Sequence, residues 1–242
     1  SELETANIPN LDRLAQHSAC GLTTPVLPGI APGSGPGHLA LFGYDPVKYL
    51  IGRGILEALG IGVDVQKGEV AVRGNFCTVD GQDAITDRRA GRITSEEAIP
   101  LCKALDQIKV PGIEISVYPV QDYRFALVLR GPGVSDQISE TDPGRLGLPP
   151  LPCREFSAVG AGTAAAVNTF ISEARKVLQE SFPANMLVLR GFSVLPNLPD
   201  MGVNYCLKPA AIAAYPMYRG LASLVGMEVL PSGPTFEDEL DT

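Results

Sequence analysis

The 242-residue sequence contains no tryptophan, only two histidines and no long uninterrupted apolar run. Because a membrane-spanning helix needs about 20 consecutive apolar residues, no segment of this sequence is predicted to cross a membrane. Lysine and arginine together number 19 against 27 for aspartate and glutamate, and no basic tract occurs. A net charge of −8 argues against nucleic acid or an anionic membrane surface as a partner.

Cysteine is also sparse, and its five copies are widely scattered. Their number is odd and no C-x-x-C spacing occurs, so reduced thiols are favoured over disulfides or a zinc site. The protein is therefore expected in a reducing compartment, which indicates the cytoplasm. The cysteines are Cys20, Cys77, Cys102, Cys153 and Cys206.

What the sequence does contain is a loop rich in glycine and proline, residues 32–37, which places Ser34 just ahead of an apolar helical segment. Flanking glycines leave room for a phosphate or a metal ion, and Pro36 in a first helical turn would direct backbone N–H groups towards an anion. Ser34 is thus a candidate nucleophile, although such loops are more often plain turns. The G-x-S-x-G elbow of α/β-hydrolases and the Walker loop are both absent.

A serine–histidine pair would have to use one of the two histidines, His17 or His38. His17 lies near the end of a predicted helix, where a cation favours the helix dipole, and we interpret it as structural. His38 lies four residues after Ser34 and is predicted either to fix the loop by hydrogen bonding or to transfer a proton.

A series of short segments carries a recognisable pattern in a fixed order along the chain. The segments are 8–14, 43–46, 52–54, 57–60, 75–80, 87–92, 135–136, 141–143 and 210–216. Together with the Ser34 loop they resemble the cofactor-independent phosphoglycerate mutases of the archaeal type, which are members of the alkaline phosphatase superfamily. The resemblance covers essentially the whole sequence.

The resemblance implies a metal-dependent isomerase that interconverts 3-phosphoglycerate and 2-phosphoglycerate in glycolysis or gluconeogenesis, through a phosphoserine at Ser34. It also implies two divalent metal ions, manganese, zinc or magnesium, whose ligands lie mostly on a leading Asp-Gly strand and a trailing Asp/His region. Neither region is present in the sequence, so Ser34 would be the only family metal ligand here. We therefore expect an internal portion of a longer protein, inactive or nearly so alone; the alternative is an intact small protein.

Hydrophobic periodicity predicts alternating helices and strands, with a Thr94-x-x-Glu97 capping box at the start of one helix. The stretch 131–162 is irregular and rich in glycine and proline, which predicts loops that contact the substrate. The predicted helices are 8–17, 52–59, 94–108, 163–181 and 210–225, and the predicted strands are 69–75, 113–120, 125–129 and 186–189.

Domain boundaries are predicted near residues 62 and 206. Residues 63–206 have the order strand, helix, strand, strand, helix, strand, which can close into a compact α+β layer. The flanking pieces, 1–62 and 207–242, are too short to fold separately and are predicted to belong together. With the resemblance, this gives an α/β fold in which part of an alkaline phosphatase-like metal and nucleophile domain is interrupted by an inserted substrate-binding domain.

Arginine is the residue type expected to bind the carboxylate and the phosphate of phosphoglycerate, because a planar guanidinium can bind either group in a bidentate manner. Residues 87–92 offer three arginines on a turn that contains glycine. Arg88 and Arg92 are the preferred substrate-binding pair, and Asp87 could orient one of them. The alternative is a solvated turn before the next helix.

Further substrate-binding candidates lie on predicted strands and at a helix start. Arg73 and Asn75 alternate onto one face of strand 69–75, although a strand arginine can equally face water. Arg190 ends an apolar strand, the position at which α/β layers bind ligands. Arg53 lies between two glycines and could reach the same site, although an arginine at a helix start is ordinarily a surface residue.

Two other functions stay open on the sequence. One is a metal-dependent phosphatase or phosphotransferase acting on another small phosphorylated metabolite, and the other is a non-catalytic domain that binds an anion. Convergence of Arg88, Arg92 and Arg190 around a glycerate-sized gap would favour the mutase. The sequence does not indicate an oligomeric state.

Overall fold

The structure is a computed structural model that describes residues 2–30 and 32–242. The chain divides into two compact units, one ending at Val47 and the other beginning at Lys48. The first unit contains helices α1 (Glu2–Thr5), α2 (Pro9–Gln16) and α3 (Ser34–Leu41). Helix α2 confirms the predicted helix over 8–17 and has no buried residue, whereas α3 buries Leu39.

The second unit is a mixed α/β structure, as predicted. Its helices are α4 (Arg53–Gly60), α5 (Ser95–Asp106), α6 (Ala161–Leu178), α7 (Met201–Tyr205), α8 (Pro216–Leu224) and α9 (Phe236–Asp241). Its strands are β1 (Val70–Val79), β2 (Ile85–Asp87), β3 (Glu114–Gln121), β4 (Arg124–Arg130), β5 (Met186–Val194), β6 (Ala210–Ala211) and β7 (Glu228–Val229).

The main sheet is antiparallel, with β5 and β4 on the two sides of β1 and β3 beyond β4. Strand β2 pairs with the C-terminal end of β1, and β6 and β7 form a separate parallel pair. The order β1, α5, β3, β4, α6, β5 is the β-α-β-β-α-β arrangement of ferredoxin-like folds. It confirms the predicted order of strands and helices in this part of the chain.

One face of the sheet packs under α5 and α6 and forms the main hydrophobic core. Strand periodicity directs Val70, Val72 and Phe76 to this face, where they pack with residues of both helices. Helix α5 begins with the predicted capping box, in which the Thr94 hydroxyl accepts from the Glu97 backbone N–H and the Glu97 carboxylate accepts from that of Thr94. The helices therefore cover this face and leave the opposite one to other elements.

The opposite face of β1 presents Arg73 and Asn75 and is covered by α4, against which α8 packs. A Cβ atom on Gly54 would lie 2.3 Å from a backbone carbonyl oxygen of β1, and one on Gly220 would lie 2.0 Å from a carbonyl oxygen of α4. Glycine at these two positions therefore permits α4 to lie against the sheet and α8 against α4. This packing brings the start of α4 close to the polar residues of β1.

Three predicted bounds were wrong and one strand was missed. Strand β1 continues past the predicted end at residue 75 to Val79, where it pairs with β2. Strand β5 continues to Val194, because residues 193 and 194 still pair with β1 after a register shift. The last predicted helix begins only at Pro216, a residue suited to a first helical turn, and residues 210–211 instead pair with β7. Strand β2 was not predicted, since three residues are too few to show a period.

The stretch 131–162 is irregular up to a short 3-10 turn at Ala158–Gly160, which confirms its prediction as loop structure. Residues 48–62 and 207–242 belong to the same compact unit as residues 63–206. The division into a core domain and an inserted domain stays a prediction. In the part of the chain that the structure describes, no helix is both long enough and apolar enough to cross a membrane.

Candidate anion-binding site

A pocket lined by arginines opens on the face of the sheet that α4 covers. It encloses about 290 Å³, near the lower end of the volumes typical of small-molecule sites, ~300 Å³. Every charged residue that lines it is an arginine, so the pocket is suited to a small anion. The lining residues are Arg53, Arg73, Asn75, Arg88, Arg89, Tyr123, Arg124, Arg190 and Tyr215.

Strand pairing assembles the floor of this arginine pocket. Arg73 of β1 lies opposite Arg190 of β5, and Asn75 of β1 lies opposite Arg124 of β4. The Nε–H of Arg73 donates to Oδ1 of Asn75 at 3.1 Å, which shows that the two side chains share a face. Arginines from three adjacent strands are thus brought together by register alone.

Asp142, in the loop between β4 and α6, fixes two arginines of the pocket. Its carboxylate accepts Nε–H and Nη2–H of Arg88 at 3.1 and 2.6 Å, and it contacts Nη1 of Arg190 at 3.3 Å. Burial acts to raise the pKa of Asp142, but the hydrogen bonds from Arg88 and the Gly144 backbone, with the charge of Arg190, lower it overall. Asp142 is therefore ionised and holds Arg88 and Arg190 in place.

Arg124 is oriented by aromatic neighbours rather than by a carboxylate. Its guanidinium carbon lies 4.9 Å from the ring centre of Tyr123 and 5.7 Å from that of Tyr215, and its Nη2–H donates to the Tyr123 hydroxyl at 3.1 Å. Cation–π contacts of this kind contribute about 0.5–2 kcal/mol each. The Nε–H groups of Arg124 and Arg190 are buried without a hydrogen-bond partner in the described structure.

Glu57 of α4 lies behind Arg73 and is completely buried. Its Oε1 is 3.5 Å from Nη1 of Arg73, and neither carboxylate oxygen accepts a hydrogen bond from the residues described. Burial raises the pKa of Glu57, against the opposing charges of Arg73, Arg124 and Arg53. Burial likewise lowers the pKa of Arg73, so the folded protein disfavours the charge on both partners.

The Ser34 loop belongs to the other compact unit and has its own pocket. Ser34 is the first residue of α3, is half-buried, and lines this pocket with residues of the preceding loop and of the helix. Nδ1 of His38 lies 2.7 Å from the backbone carbonyl oxygen of Ser34. This contact spans one turn of α3, and the two roles predicted for His38, fixing the loop and transferring a proton, stay predictions. Nδ1 of His17 contacts the carbonyl oxygen of Arg13 at 2.8 Å at the end of α2.

The predicted substrate-binding residues divide into two groups. Arg88, Arg190, Arg73, Asn75 and Arg53 all line the arginine pocket. Arg190 does so from the middle of β5, not from a strand end, because β5 continues past it.

The remaining two predicted residues, Arg92 and Asp87, lie outside the lining of the pocket. Arg92 is exposed, with a positive φ of 57° in the turn after β2. The carboxylate of Asp87 accepts backbone N–H groups of Arg89 and Gly91 at 2.8 and 2.7 Å, so it shapes the turn instead of orienting a guanidinium. The orienting carboxylate is Asp142.

Several residues of the site were not predicted from the sequence. Arg124 and Tyr123 sit at a hairpin, and their placement depends on which strands pair. Asp142 and Glu57 lie in segments that resemble the family, yet nothing in their spacing marks them as partners of arginines. The unpredicted residues are Glu57, Arg89, Tyr123, Arg124, Asp142 and Tyr215.

The predicted metal site has little support from the residues present. Among residues 2–30 and 32–242, no group of three or more histidine, cysteine, aspartate or glutamate side chains is arranged to hold a metal ion. Ser34 would offer a single neutral oxygen, whereas divalent ions prefer several oxygen ligands that include carboxylates. The residues described here therefore do not form a metal centre by themselves.

Two solved structures resemble the chain. One is the cofactor-independent phosphoglycerate mutase from Thermoplasma acidophilum, which is 35% identical and superposes with a TM-score of 0.61. The matched region covers 80% of this chain and 56% of that protein. The other is a protein from Pyrococcus horikoshii, which is 26% identical and has a TM-score of 0.73. The matched region covers 96% of this chain and 56% of that protein.

Curated relatives give the same result at higher identity. A protein from Thermus thermophilus is 51% identical over 233 residues, and one from Thermosipho melanesiensis is 49% identical over 242 residues; both are named probable 2,3-bisphosphoglycerate-independent phosphoglycerate mutase. They cover 96% and 99% of this chain, which spans only 57% and 60% of their lengths. The family model for 2,3-bisphosphoglycerate-independent phosphoglycerate mutase matches residues 15–185. The family match, the sequence identities and the two similar structures agree. The chain therefore belongs to the 2,3-bisphosphoglycerate-independent phosphoglycerate mutase family.

Proposed function

We propose that the protein containing this chain interconverts 3-phosphoglycerate and 2-phosphoglycerate, and that the arginine pocket binds the substrate. The observation that carries this proposal is the convergence of Arg73, Arg88, Arg124 and Arg190 on one small pocket that no carboxylate lines. Family membership supports the reaction, and the pocket supports the chemical class of the ligand. The chain spans little more than half of its relatives' length, so the activity is proposed for the complete enzyme.

The donors of the pocket suit a ligand with two anionic groups. A buried N–H without a partner costs about 1–3 kcal/mol, and Arg124 and Arg190 each carry one on Nε. Nε of Arg190 is 3.5 Å from the nearest oxygen of Glu140, too long for a charge-assisted hydrogen bond. A phosphate or carboxylate oxygen in the pocket would give these donors the partners that they lack.

The arginines form two sets that differ in how they are held. Asp142 fixes Arg88 and Arg190, whereas Arg73 is held by Asn75 of its own strand β1 and by Glu57 of α4. We propose that one set binds the phosphate and the other the carboxylate, which fixes the position of the glycerate between them. Binding at two points would keep the glycerate in place while the phosphoryl group is transferred.

Ser34 is the proposed phosphoryl acceptor. Its Oγ would form a bond to phosphorus as the bond between phosphorus and the glycerate oxygen breaks, and a proton would move, in net terms, from the Ser34 hydroxyl to the released glycerate oxygen. The reverse step would deliver the phosphoryl group to the other hydroxyl and return a proton to Ser34. Nδ1 of His38 contacts the Ser34 backbone carbonyl oxygen, which orders the loop at the start of α3. Ser34 also lies at a helix N-terminus, where backbone N–H groups favour an anion.

The two divalent ions implied by the family resemblance, manganese, zinc or magnesium, are proposed only for the complete enzyme. Such ions would lower the pKa of a bound hydroxyl and neutralise charge on the transferred group. The described residues do not supply a ligand set for them. The binding steps above depend on arginines of this chain and need no metal.

Calorimetric titration of the chain with 3-phosphoglycerate tests the binding role. We expect saturable binding, and a loss of at least about tenfold in affinity for Arg190→Ala, because a hydrogen bond to a charged group contributes about 1.5–3 kcal/mol. Arg175→Ala is the matched control, since it removes the same charge from an exposed residue of α6 that pairs with Asp83. Absence of binding, or equal losses in both variants, would contradict the proposal.

The catalytic role requires the protein in its natural length. The intact mass of the purified protein is compared with the 25.5 kDa of this chain, and mutase activity is assayed with added Mn²⁺. A larger mass with activity that Ser34→Ala abolishes would support the phosphoserine mechanism. Full activity in Ser34→Ala would contradict it.

A further inference from the structure

Glu57 is unusual among the acidic residues around the arginine pocket, because it is fully buried and makes no hydrogen bond with the part of the chain that is described. Its one close ionic contact is with Nη1 of Arg73 at 3.5 Å. A charge-assisted N–H to carboxylate hydrogen bond normally measures about 2.7–2.9 Å. The contact is therefore loose, in contrast to the 2.6 Å contact between Arg88 and Asp142.

The surroundings of Glu57 combine positive charge with exclusion of water. The charged and titratable groups that act on it are Arg73 from β1, Arg124 from β4, Arg53 from its own helix, and Tyr215 from the residue before α8. Arg53, Arg73, Arg124 and Tyr215 also line the pocket. Glu57 thus supplies negative charge on the protein side of these arginines, and the pocket in which a ligand would bind lies on their other side.

Resting on the proposed substrate role of this pocket, we propose that Glu57 is a positioning residue that holds Arg73 in the empty pocket and takes up a proton when an anion binds. The arriving anion attracts Arg73 and adds negative charge close to Glu57. Because little water surrounds Glu57, the weaker contact with Arg73 and the nearby anion both disfavour a negative charge on the Glu57 carboxylate. A proton from solvent then adds to one carboxylate oxygen of Glu57, and no other covalent bond changes.

The geometry explains why Glu57 rather than Asp142 responds in this way. Asp142 accepts four short contacts, from Arg88, Arg190 and the Gly144 backbone, and these keep it ionised whether or not a ligand is present. Glu57 has only the loose contact to Arg73, and burial already raises its pKa. Protonation of Glu57 would therefore cost little once Arg73 has a new partner.

The test counts protons during binding of sulfate, an anion that stays fully ionised and so does not itself titrate. Binding heats of the wild-type chain are measured in buffers of different ionisation enthalpy at several pH values from 5 to 8. We expect net proton uptake and an affinity for sulfate that increases as the pH falls, by up to about tenfold per pH unit. In Glu57→Gln we expect the proton uptake at this site to be lost and the affinity for sulfate to depend less on pH.

Glu69→Gln is the matched control, because Glu69 pairs with Arg130 at 2.8 Å outside the pocket and its replacement removes the same charge. Both histidines remain in all three proteins, so their titration contributes equally. We expect Glu69→Gln to keep the wild-type proton uptake. Equal uptake in wild type and Glu57→Gln would overturn the inference, even with sulfate bound normally.

A second measurement does not depend on ligand binding. A carboxyl group whose pKa is raised on folding favours the folded state at low pH, and this contribution is lost as the pH rises through the folded value. The unfolding free energy of the wild type, relative to that of Glu57→Gln, is therefore expected to decrease as the pH rises above 4.5, the usual value for glutamate. An unchanged difference would contradict the inference.

The two proposals fail in different ways. If the wild-type chain binds neither sulfate nor 3-phosphoglycerate, the proposed function of the pocket is wrong and this inference is wrong with it. If both anions bind with losses in Arg190→Ala but with no proton uptake that depends on Glu57, only the inference is wrong.

Discussion

Arg73 and Arg190 lie directly opposite each other on the paired strands β1 and β5. Like charges in this relationship destabilise an antiparallel pair. Here carboxylates contact both of them: Glu57 lies 3.5 Å from Arg73, and Asp142 and Glu140 lie 3.3 and 3.5 Å from Arg190. The pocket still carries excess positive charge, because Asp142 is shared with Arg88 and because Arg53, Arg89 and Arg124 line the pocket as well. A bound anion would reduce the repulsion among these arginines.

Binding of an anion is therefore expected to stabilise the folded chain. A ligand present at 100 times its dissociation constant adds about 2.7 kcal/mol to the free energy of unfolding. The melting temperature of the wild type is compared in sulfate and in chloride at equal ionic strength, so that general screening by salt cancels. Arg73→Ala should show a smaller increase in sulfate, and an increase equal to that of the wild type would contradict a specific site.

Asp142→Asn is expected to destabilise the chain by roughly 1.5–3 kcal/mol at pH 7, because a charged hydrogen bond to Arg88 is lost in a buried setting. The pKa of Asp142 is lowered on folding, so its contribution is complete above 3.8, the usual aspartate value, and decreases as the pH falls further. Urea unfolding of both proteins at neutral and acid pH measures this difference. A difference that stays constant down to pH 3 would exclude the assigned ion pair.

The five cysteines are expected to react unequally with iodoacetamide in the native protein. Burial raises the pKa of Cys77 and Cys102 to about 12 and that of Cys153 to about 11, which leaves almost no thiolate at neutral pH. Cys20 and Cys206 are exposed and should be alkylated. Mass spectrometry of the labelled peptides reports each site, and a urea-denatured sample, in which all five should react, is the reference.

Gly220→Ala is expected to weaken the packing of α8 on α4. The added Cβ would lie 2.0 Å from a carbonyl oxygen of α4, and relief of such overpacking typically costs about 1–3 kcal/mol. Because Tyr215 precedes α8, the affinity for sulfate should fall as well. Gly162→Ala is the control, since Gly162 lies in α6 with open space around its Cβ position, and alanine there should stabilise by up to about 1 kcal/mol.

The sequence allowed four of the five strands of the main sheet, and the helices α5 and α6 that cover it, to be predicted because each has a clear local signal. The alternation of 69–75 predicted β1, and the Thr94 capping box predicted the start of α5. Bounds that depend on partners were less predictable. The last residues of β5 are held by pairing with β1 beyond a register shift, a contact between segments more than a hundred residues apart.

The residues of the site also divide into those with a signal in the local sequence and those that only tertiary contacts place. Arg88, Arg190 and Arg73 could be predicted because arginine suits phosphate and carboxylate. The resemblance selected the segment of Arg88, and the predicted strands placed Arg73 on a strand face and Arg190 at a strand end. The partners of these arginines could not be predicted. Whether Asp87 or Asp142 orients Arg88 is decided by the course of the loop after β4, and Glu57 reaches Arg73 only because glycine lets α4 lie close to the sheet.

The residues of the arginine pocket are distributed from position 53 to position 215, on two helix starts, three strands and two turns. The pocket is therefore complete only after β5 has paired with β1 and α8 has packed on α4. Both contacts join residues that are far apart in the sequence. A partly folded chain would lack at least one wall, so it would not bind the anion. The number of binding sites per chain for a small anion is thus a direct measure of the fraction of a preparation that has reached the final topology, and a bound anion stabilises that topology.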